Sequence, residues 1–255
     1  MIEAAFFDVD GTLLSFTTHD IPSSTRRALA ALRDAGVALY VATGRSLAML
    51  PEAVRSGFDG YITVNGQVCF DADGEFRRQR IEPEGVRRVV DRVRAGAFDA
   101  LFMTEGRSFV SGKGERVRDN ERHVGLCNDL GDPDEALDLE ILQMCAFVAP
   151  RDEHLVTDDN PYVTTARWCD DFCDIMPQGG GKPAGVRALR ERHRIDIADT
   201  AAFGVGGNDI ALLRCAGIGV AMGNAGDDVK AAADYVTTDV DDDGIWNACR
   251  ALGLL

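Results

Sequence analysis

Asp8 and Asp10 stand two residues apart just beyond the apolar run Ala4–Phe7, with Gly11-Thr12-Leu13-Leu14 directly behind them. The run reads as a short buried strand, and side chains two apart on a strand project to the same side. The spacing therefore gathers two carboxylates at a strand tip, where Gly11 lets the backbone turn with no Cβ in the way. Held so close, they repel and shift each other's pKa unless a cation lies between them. That is the chemistry of cation binding and of paired acids.

Other strand ends carry polar groups too. Thr43-Gly44-Arg45-Ser46 follows the apolar run Val37–Ala42, and Gly204-Val205-Gly206-Gly207-Asn208-Asp209 follows a strand beginning near Ala201. Lys182 opens a helix that follows Gly179-Gly180-Gly181.

The elements that must position these groups alternate between strand and helix. A helix is expected from Pro22-Ser23-Ser24 to about Ala35, with Gly36 as its stop. Val37–Ala42 is apolar almost throughout, as a parallel strand covered on both faces should be. A helix over about 47–54 is expected next, then a strand over Tyr61–Val64 leading to Asn65-Gly66. Val68–Asp71 and Glu75–Arg80 read as a hairpin around Asp73-Gly74. From Lys182 the rhythm resumes: helices over Lys182–His193, Asp209–Cys215, Ala225–Ala233 and Ile245–Leu252, and strands over Ala201–Val205, Ile218–Met222 and Tyr235–Thr237. This pattern implies an α/β fold with a Rossmann-like parallel sheet.

The middle of the chain has a different texture. An amphipathic helix over Glu84–Arg94 precedes a polar region, Glu105–Glu140, of weak periodicity. Three β-like runs follow, Ile141–Val148, Tyr162–Trp168 and Phe172–Met176. The expectation is a discontinuous core, 1–81 plus 180–255, carrying an inserted α+β cap over 82–179. Gly179–Gly181 reads as its returning hinge. An insert so placed would lie over the sheet edge where open α/β folds bind ligands.

Composition narrows the class. The chain has 255 residues, enough for a sizeable core, and 45% of them are hydrophobic. Its net charge of −15, from 27 basic and 42 acidic residues, argues against nucleic acid and anionic membrane as partners. Seven cysteines include no C-x-x-C pair and read as reduced, and four histidines lack the spacing of a zinc site. No charged-then-apolar leader precedes the first strand, so the expected compartment is the cytoplasm.

Taken in order, Asp8-Val9-Asp10-Gly11-Thr12, Ala42-Thr43-Gly44-Arg45, Asn65-Gly66, Gly181-Lys182, Gly206-Gly207-Asn208-Asp209 and Asp243-Gly244 resemble the motifs of the haloacid dehalogenase superfamily, in particular its Cof-like type IIB phosphatases. The resemblance implies a phosphatase that hydrolyses a small phosphorylated metabolite, a sugar or polyol phosphate, through an aspartyl-phosphate. It assigns Asp8 as nucleophile and Asp10 as proton carrier, with Thr43 and Lys182 on the phosphoryl oxygens. Gly11, Gly44, Arg45 and Asn208 fall in its phosphate-binding stretches. It also implies Mg²⁺ bridging Asp8 and the phosphate, with the Asp10 carbonyl and Asp209 as further ligands. One departure stands out. The family pattern G-D-x-x-N-D here reads Gly204-Val205-Gly206-Gly207-Asn208-Asp209, and a valine cannot ligate a metal. Two other readings stay open: a phosphomutase or phosphotransferase of the same superfamily, and a catalytically weakened protein that binds a phosphometabolite.

Overall fold

The computed structural model describes residues 1–124 and 127–255. In chain order it begins with β1 (Ala4–Phe7), α1 (Ser23–Asp34), β2 (Ala38–Ala42), β3 (Gly60–Thr63), β4 (Val68–Asp71) and β5 (Gly74–Arg78). There follow α2 (Pro83–Arg94), β6 (Ala100–Met103), β7 (Ser108–Val110), α3 (Glu115–Val124), β8 (Gln143–Ala146), α4 (His154–Thr157), β9 (Val163–Ala166) and β10 (Cys173–Pro177). The chain ends with α5 (Lys182–His193), β11 (Thr200–Gly204), α6 (Ile210–Cys215), β12 (Ile218–Ala221), α7 (Asp227–Lys230), β13 (Tyr235–Val236) and α8 (Gly244–Ala251).

Two compact units result, Met1–Arg78 with Gly181–Leu255, and Gln79–Gly180. The first is built on an eight-stranded sheet of order β13-β12-β11-β1-β2-β3-β4-β5. Pairing is parallel from β13 to β3 and antiparallel through β4 and β5. From β1 the chain builds outward through β2 and β3 on one side, and later through β11, β12 and β13 on the other. The strand order thus reverses at β1, and such a switch point opens a crevice at the carboxyl ends of the strands. Phe7 pairs in register with Val41 on one side and Phe203 on the other. Asp8, Ala42 and Gly204 therefore leave the sheet at one level, which is why their loops can meet.

This register is held by apolar packing. All four residues of β1 are buried, Phe7 stacks on Phe203 at 4.9 Å between ring centroids, and Phe6 stacks on Tyr40 at 5.3 Å. Burying each such aromatic side chain stabilises the fold by roughly 1.5–3 kcal/mol.

The stretch 47–54 is not one helix. It forms two short 3₁₀ segments, Leu47–Met49 and Glu52–Val54, separated by Leu50 in extended conformation. Pro51 explains this: it disfavours helical geometry at the preceding residue and offers no N–H to continue the ladder.

The second unit carries a five-stranded sheet of order β7-β6-β8-β10-β9, antiparallel throughout. Its core includes Val86, Val89 and Val90 of α2 with Phe102, Phe109, Met144 and Ile175 from the strands. Ile81 belongs to this core, and its N–H donates to the Ile141 carbonyl at 2.8 Å. The unit therefore begins a few residues before the position expected from the sequence. Among the described residues no helix is long and apolar enough to cross a membrane.

Gly181 joins the second unit back to the first with φ 97° and ψ 164°, a region of backbone space that is essentially glycine-only. Gly180, its neighbour, has no positive φ. Gly181→Ala should therefore lower the stability of the protein by about 1–3 kcal/mol, whereas Gly180→Ala should stay within about 0.5 kcal/mol of the parent. Urea unfolding of both variants checks this, and equal losses would contradict it.

Candidate functional site

Asp8 leaves β1 with its N–H bonded to the Phe203 carbonyl at 3.0 Å, and its side chain is buried. Gly11 then turns the chain at φ 79°, where a Cβ would stand 2.3 Å from the ring of Phe16. Only glycine satisfies both conditions. The turn closes through Gly11 N–H to the Leu14 carbonyl at 2.9 Å, and the Thr12 hydroxyl lies 3.5 Å from Asp8 Oδ2.

The chain brings a lysine to this tip from 174 residues away: Lys182 Nζ lies 2.7 Å from Asp8 Oδ1. The same ammonium lies 2.5 Å from Asp209 Oδ1. Lys182 is the first residue of α5 and is almost wholly buried, so its ammonium bridges two carboxylates away from bulk water. Asp209 Oδ2 accepts from the Val205 and Gly206 N–H groups, both at 3.0 Å. Gly204 makes this possible, because a Cβ there would stand 2.5 Å from the Asp209 Cβ. Val205 itself packs into the apolar core of the first unit.

Burial pushes the Asp8 carboxyl up, the charges of Asp209 and Asp10 push it further, and Lys182 pulls against them; the balance carries it from its ordinary 3.8 to about 7. Burial works against the Lys182 charge as well, but Asp209 and Asp8 outweigh that and hold its pKa above the usual lysine range.

Asp10 points to another partner. Its two oxygens take a forked pair of hydrogen bonds from Arg45, 2.8 Å from Nε and 2.9 Å from Nη2. The fork fixes the plane of the Asp10 carboxylate. Arg45 is placed by its own N–H, which donates to Thr43 Oγ1 at 3.1 Å, and by Nη1, 3.2 Å from the Met49 carbonyl. Thr43 thus caps a tight turn rather than a helix. Gly44 lies beneath the side chain of Asn65, and Asn208 Nδ2 donates to Asn65 Oδ1 at 3.3 Å. Asp243-Gly244 opens α8, Asp243 in left-handed conformation.

Two clusters result: Asp8, Lys182 and Asp209 around one buried ammonium, and Asp10 with Arg45 beside Thr43. Two residues outside the expected set also tie the loops together. Asn65 joins those after β2 and β11, while Asn224 Nδ2 donates to the Gly11 carbonyl at 2.9 Å and its Oδ1 accepts from Val240 N–H. Asn65-Gly66 was already visible as a motif; Asn224 carries no chemical signal in the sequence.

The residues do not form a ready cage for the divalent cation that the resemblance implies. Among the described residues no three His, Cys, Asp or Glu side chains gather to hold a metal ion. Asp209 commits one oxygen to Lys182 and the other to two N–H groups, so its carboxylate serves the protein's own donors. Asp10 gives both side-chain oxygens to Arg45, and Val205 contributes no oxygen from its side chain. Of the ligands the resemblance assigns, Asp8 Oδ2 and the Asp10 carbonyl are left, fewer than a hard cation takes from protein in a dedicated site.

The family profile described as haloacid dehalogenase-like hydrolase matches residues 5–249. The Bacillus subtilis (strain 168) protein YkrA is 35% identical over 260 residues, an alignment covering 98% of this chain and 97% of YkrA. Among solved structures, the subclass IIB sugar phosphatase BT4131 superposes with a TM-score of 0.91 at 36% identity, covering 99% of this chain and all of that one. BT1666 from Bacteroides thetaiotaomicron, a phosphatase, gives 0.93 at 32% identity, covering 100% and 96%.

The position of Asp8 sets a pH dependence. Its folded pKa lies above its unfolded value, so its favourable contribution is complete below about 3.8 and is lost as pH rises through about 7. Asp8→Asn removes that dependence. In urea unfolding the variant should gain on the parent between pH 4 and pH 8, by about 3–4 kcal/mol on the linkage of 1.36 kcal/mol per pH unit. A variant no better placed at pH 8 than at pH 4 would contradict the assignment.

Proposed function

Because the chain belongs to the haloacid dehalogenase-like hydrolase family, we propose that this phosphatase hydrolyses the phosphoric monoester of a sugar or polyol through an aspartyl-phosphate on Asp8. The observation that carries the reading is the buried Lys182 ammonium on Asp8 Oδ1, which leaves Oδ2 to face an incoming phosphorus. BT4131, a sugar phosphatase, supports the substrate class.

The steps follow from the two clusters. Asp8 Oδ2 attacks phosphorus in line, forming an acyl phosphate as the bond to the leaving oxygen breaks. Asp10, oriented by Arg45 and entering the step protonated, gives its proton to that oxygen and so releases the alcohol, leaving a carboxylate for the second step. Water then attacks phosphorus, Asp10 takes its proton, and orthophosphate leaves with the Asp8 carboxylate restored. Lys182 and the Thr43 hydroxyl bind phosphoryl oxygens where negative charge redistributes in the transition state. Attack requires ionised Asp8, so kcat/KM rises as pH increases through about 7.

The insert, Gln79–Gly180, takes the role of substrate selection in this reading. A net charge of −15 argues against nucleic acid and anionic membrane as partners, and in this reading the partners are small phosphorylated metabolites of the cytoplasm. No step is assigned to Mg²⁺, since the donors present do not form its site.

Two substitutions test the reading. Asp8→Asn should fold and lose phosphate release altogether, because an amide is a poor nucleophile, and Asp10→Asn should lower turnover about 10²–10⁴-fold. Phosphate release from a panel of phosphorylated sugars and polyols measures both; an Asp8 variant at the parental rate would overturn the covalent route. Val205→Asp adds a carboxylate at the strand end. It should tighten Mg²⁺ binding in calorimetry and raise activity in step with Mg²⁺, because hard-cation affinity follows ligand charge and number. Unchanged affinity would mean that the donors already present suffice.

A further inference from the structure

Directly after β3, two consecutive residues that are not glycine adopt left-handed backbone, Val64 at φ 51° and Asn65 at φ 50°, and Gly66 follows at 92°. For a β-branched residue this is an outlier. Such a conformation persists only where its surroundings over-determine it, and it clusters at functional sites. The surroundings here are specific. Val64 N–H donates to the Arg45 carbonyl and Asn65 N–H to the Thr43 carbonyl, both at 2.9 Å. The Gln67 side-chain amide donates to the Val64 carbonyl at 2.9 Å and to the Asn65 carbonyl at 3.1 Å.

The left-handed pair thus grips the chain on both sides of Gly44. The Asn65 carboxamide, itself buried, lies against Gly44, where a Cβ would stand 3.3 Å from Nδ2 and 3.4 Å from Oδ1. Its Oδ1 accepts from Asn208 Nδ2 at 3.3 Å. One side chain therefore joins the loop after β2 to the loop after β11, the two that flank Asp8. Among the described residues the Gly44 N–H meets no protein acceptor, so the grip leaves a fixed donor beside the Thr43 hydroxyl.

We infer that Asn65 is a positioning residue for phosphoryl recognition, holding the Thr43-Gly44 peptide and the Asn208 amide in one arrangement about the phosphate. The inference rests on the phosphatase reading for its ligand. Any other residue at position 65 faces two demands at once, left-handed backbone and a carboxamide oxygen at Asn208. Asparagine meets both, since it tolerates that backbone better than other residues with a side chain.

Asn65→Gly separates the two demands, because glycine keeps the backbone and loses the carboxamide. The variant should melt at or above the parental temperature. Its dissociation constant for inorganic phosphate, by calorimetry, should rise at least tenfold, and KM should rise with it while kcat changes less. Asn65→Ser shortens the side chain below the reach of Asn208 and adds no charge. It too should weaken phosphate binding tenfold or more, and it decides the matter should the glycine variant fail to fold. Phosphate binding within twofold of the parent in a folded variant would overturn the inference. A parent that binds phosphate but hydrolyses no monoester would sink the phosphatase reading instead, and the binding constants would still judge Asn65.

Discussion

The structure around the site depends on one buried ammonium. Lys182 Nζ lies between Asp8 and Asp209, with both carboxylates and the lysine withdrawn from water. Removing the lysine would leave two buried carboxylates with no counter-charge between them, which is far more costly than the ion pairs are stabilising. The tip of β1, the turn after β11 and the start of α5 must therefore arrive together. The register that levels Asp8 with Gly204, the bare Cα of Gly204 and the glycine-only backbone of Gly181 all serve that meeting.

The charge balance explains the chemistry of Asp8. Asp8, Asp10 and Asp209 face two cations, Lys182 and Arg45. Burial first, and then the neighbouring carboxylates against Lys182, hold the Asp8 carboxyl up at about 7 rather than at the usual carboxylate value. A further carboxylate at position 205 would deepen the imbalance unless a divalent cation entered with it. Val205 and the self-satisfied Asp209 are thus consistent with each other: both reduce what a metal could hold and what it would need to neutralise.

Much of this was legible in the chain. The apolar runs Ala4–Phe7, Val37–Ala42 and that beginning near Ala201 mark parallel strands because both faces are covered, and Lys182–His193 has the same bounds as a helix in the structure. The stretch 47–54 misleads because its apolar spacing suits a helix while Pro51 forbids one. In the insert, β6 and β7 escape notice because a three- or four-residue strand carries too little alternation to stand out. In the site, spacing points to the pair Asp8 and Asp10, and the family resemblance to Thr43 and Lys182, but neither tells which side chain pairs with which. The fork of Arg45 on Asp10 depends on a turn that Thr43 caps, and the commitment of Asp209 depends on a missing Cβ five positions away, at Gly204. The left-handed Val64 is invisible to any pattern, since valine is among the residues least expected there.

The central claim is that Asp8, held by Lys182, becomes phosphorylated in turnover. Quenching the enzyme during steady-state hydrolysis of its best monoester, reducing the acyl phosphate with borohydride and mapping the peptides by mass spectrometry tests this directly. The account predicts homoserine at position 8 and at no other aspartate. Steady turnover with no trapped acyl phosphate, or with the phosphoryl group on a different side chain, would contradict it.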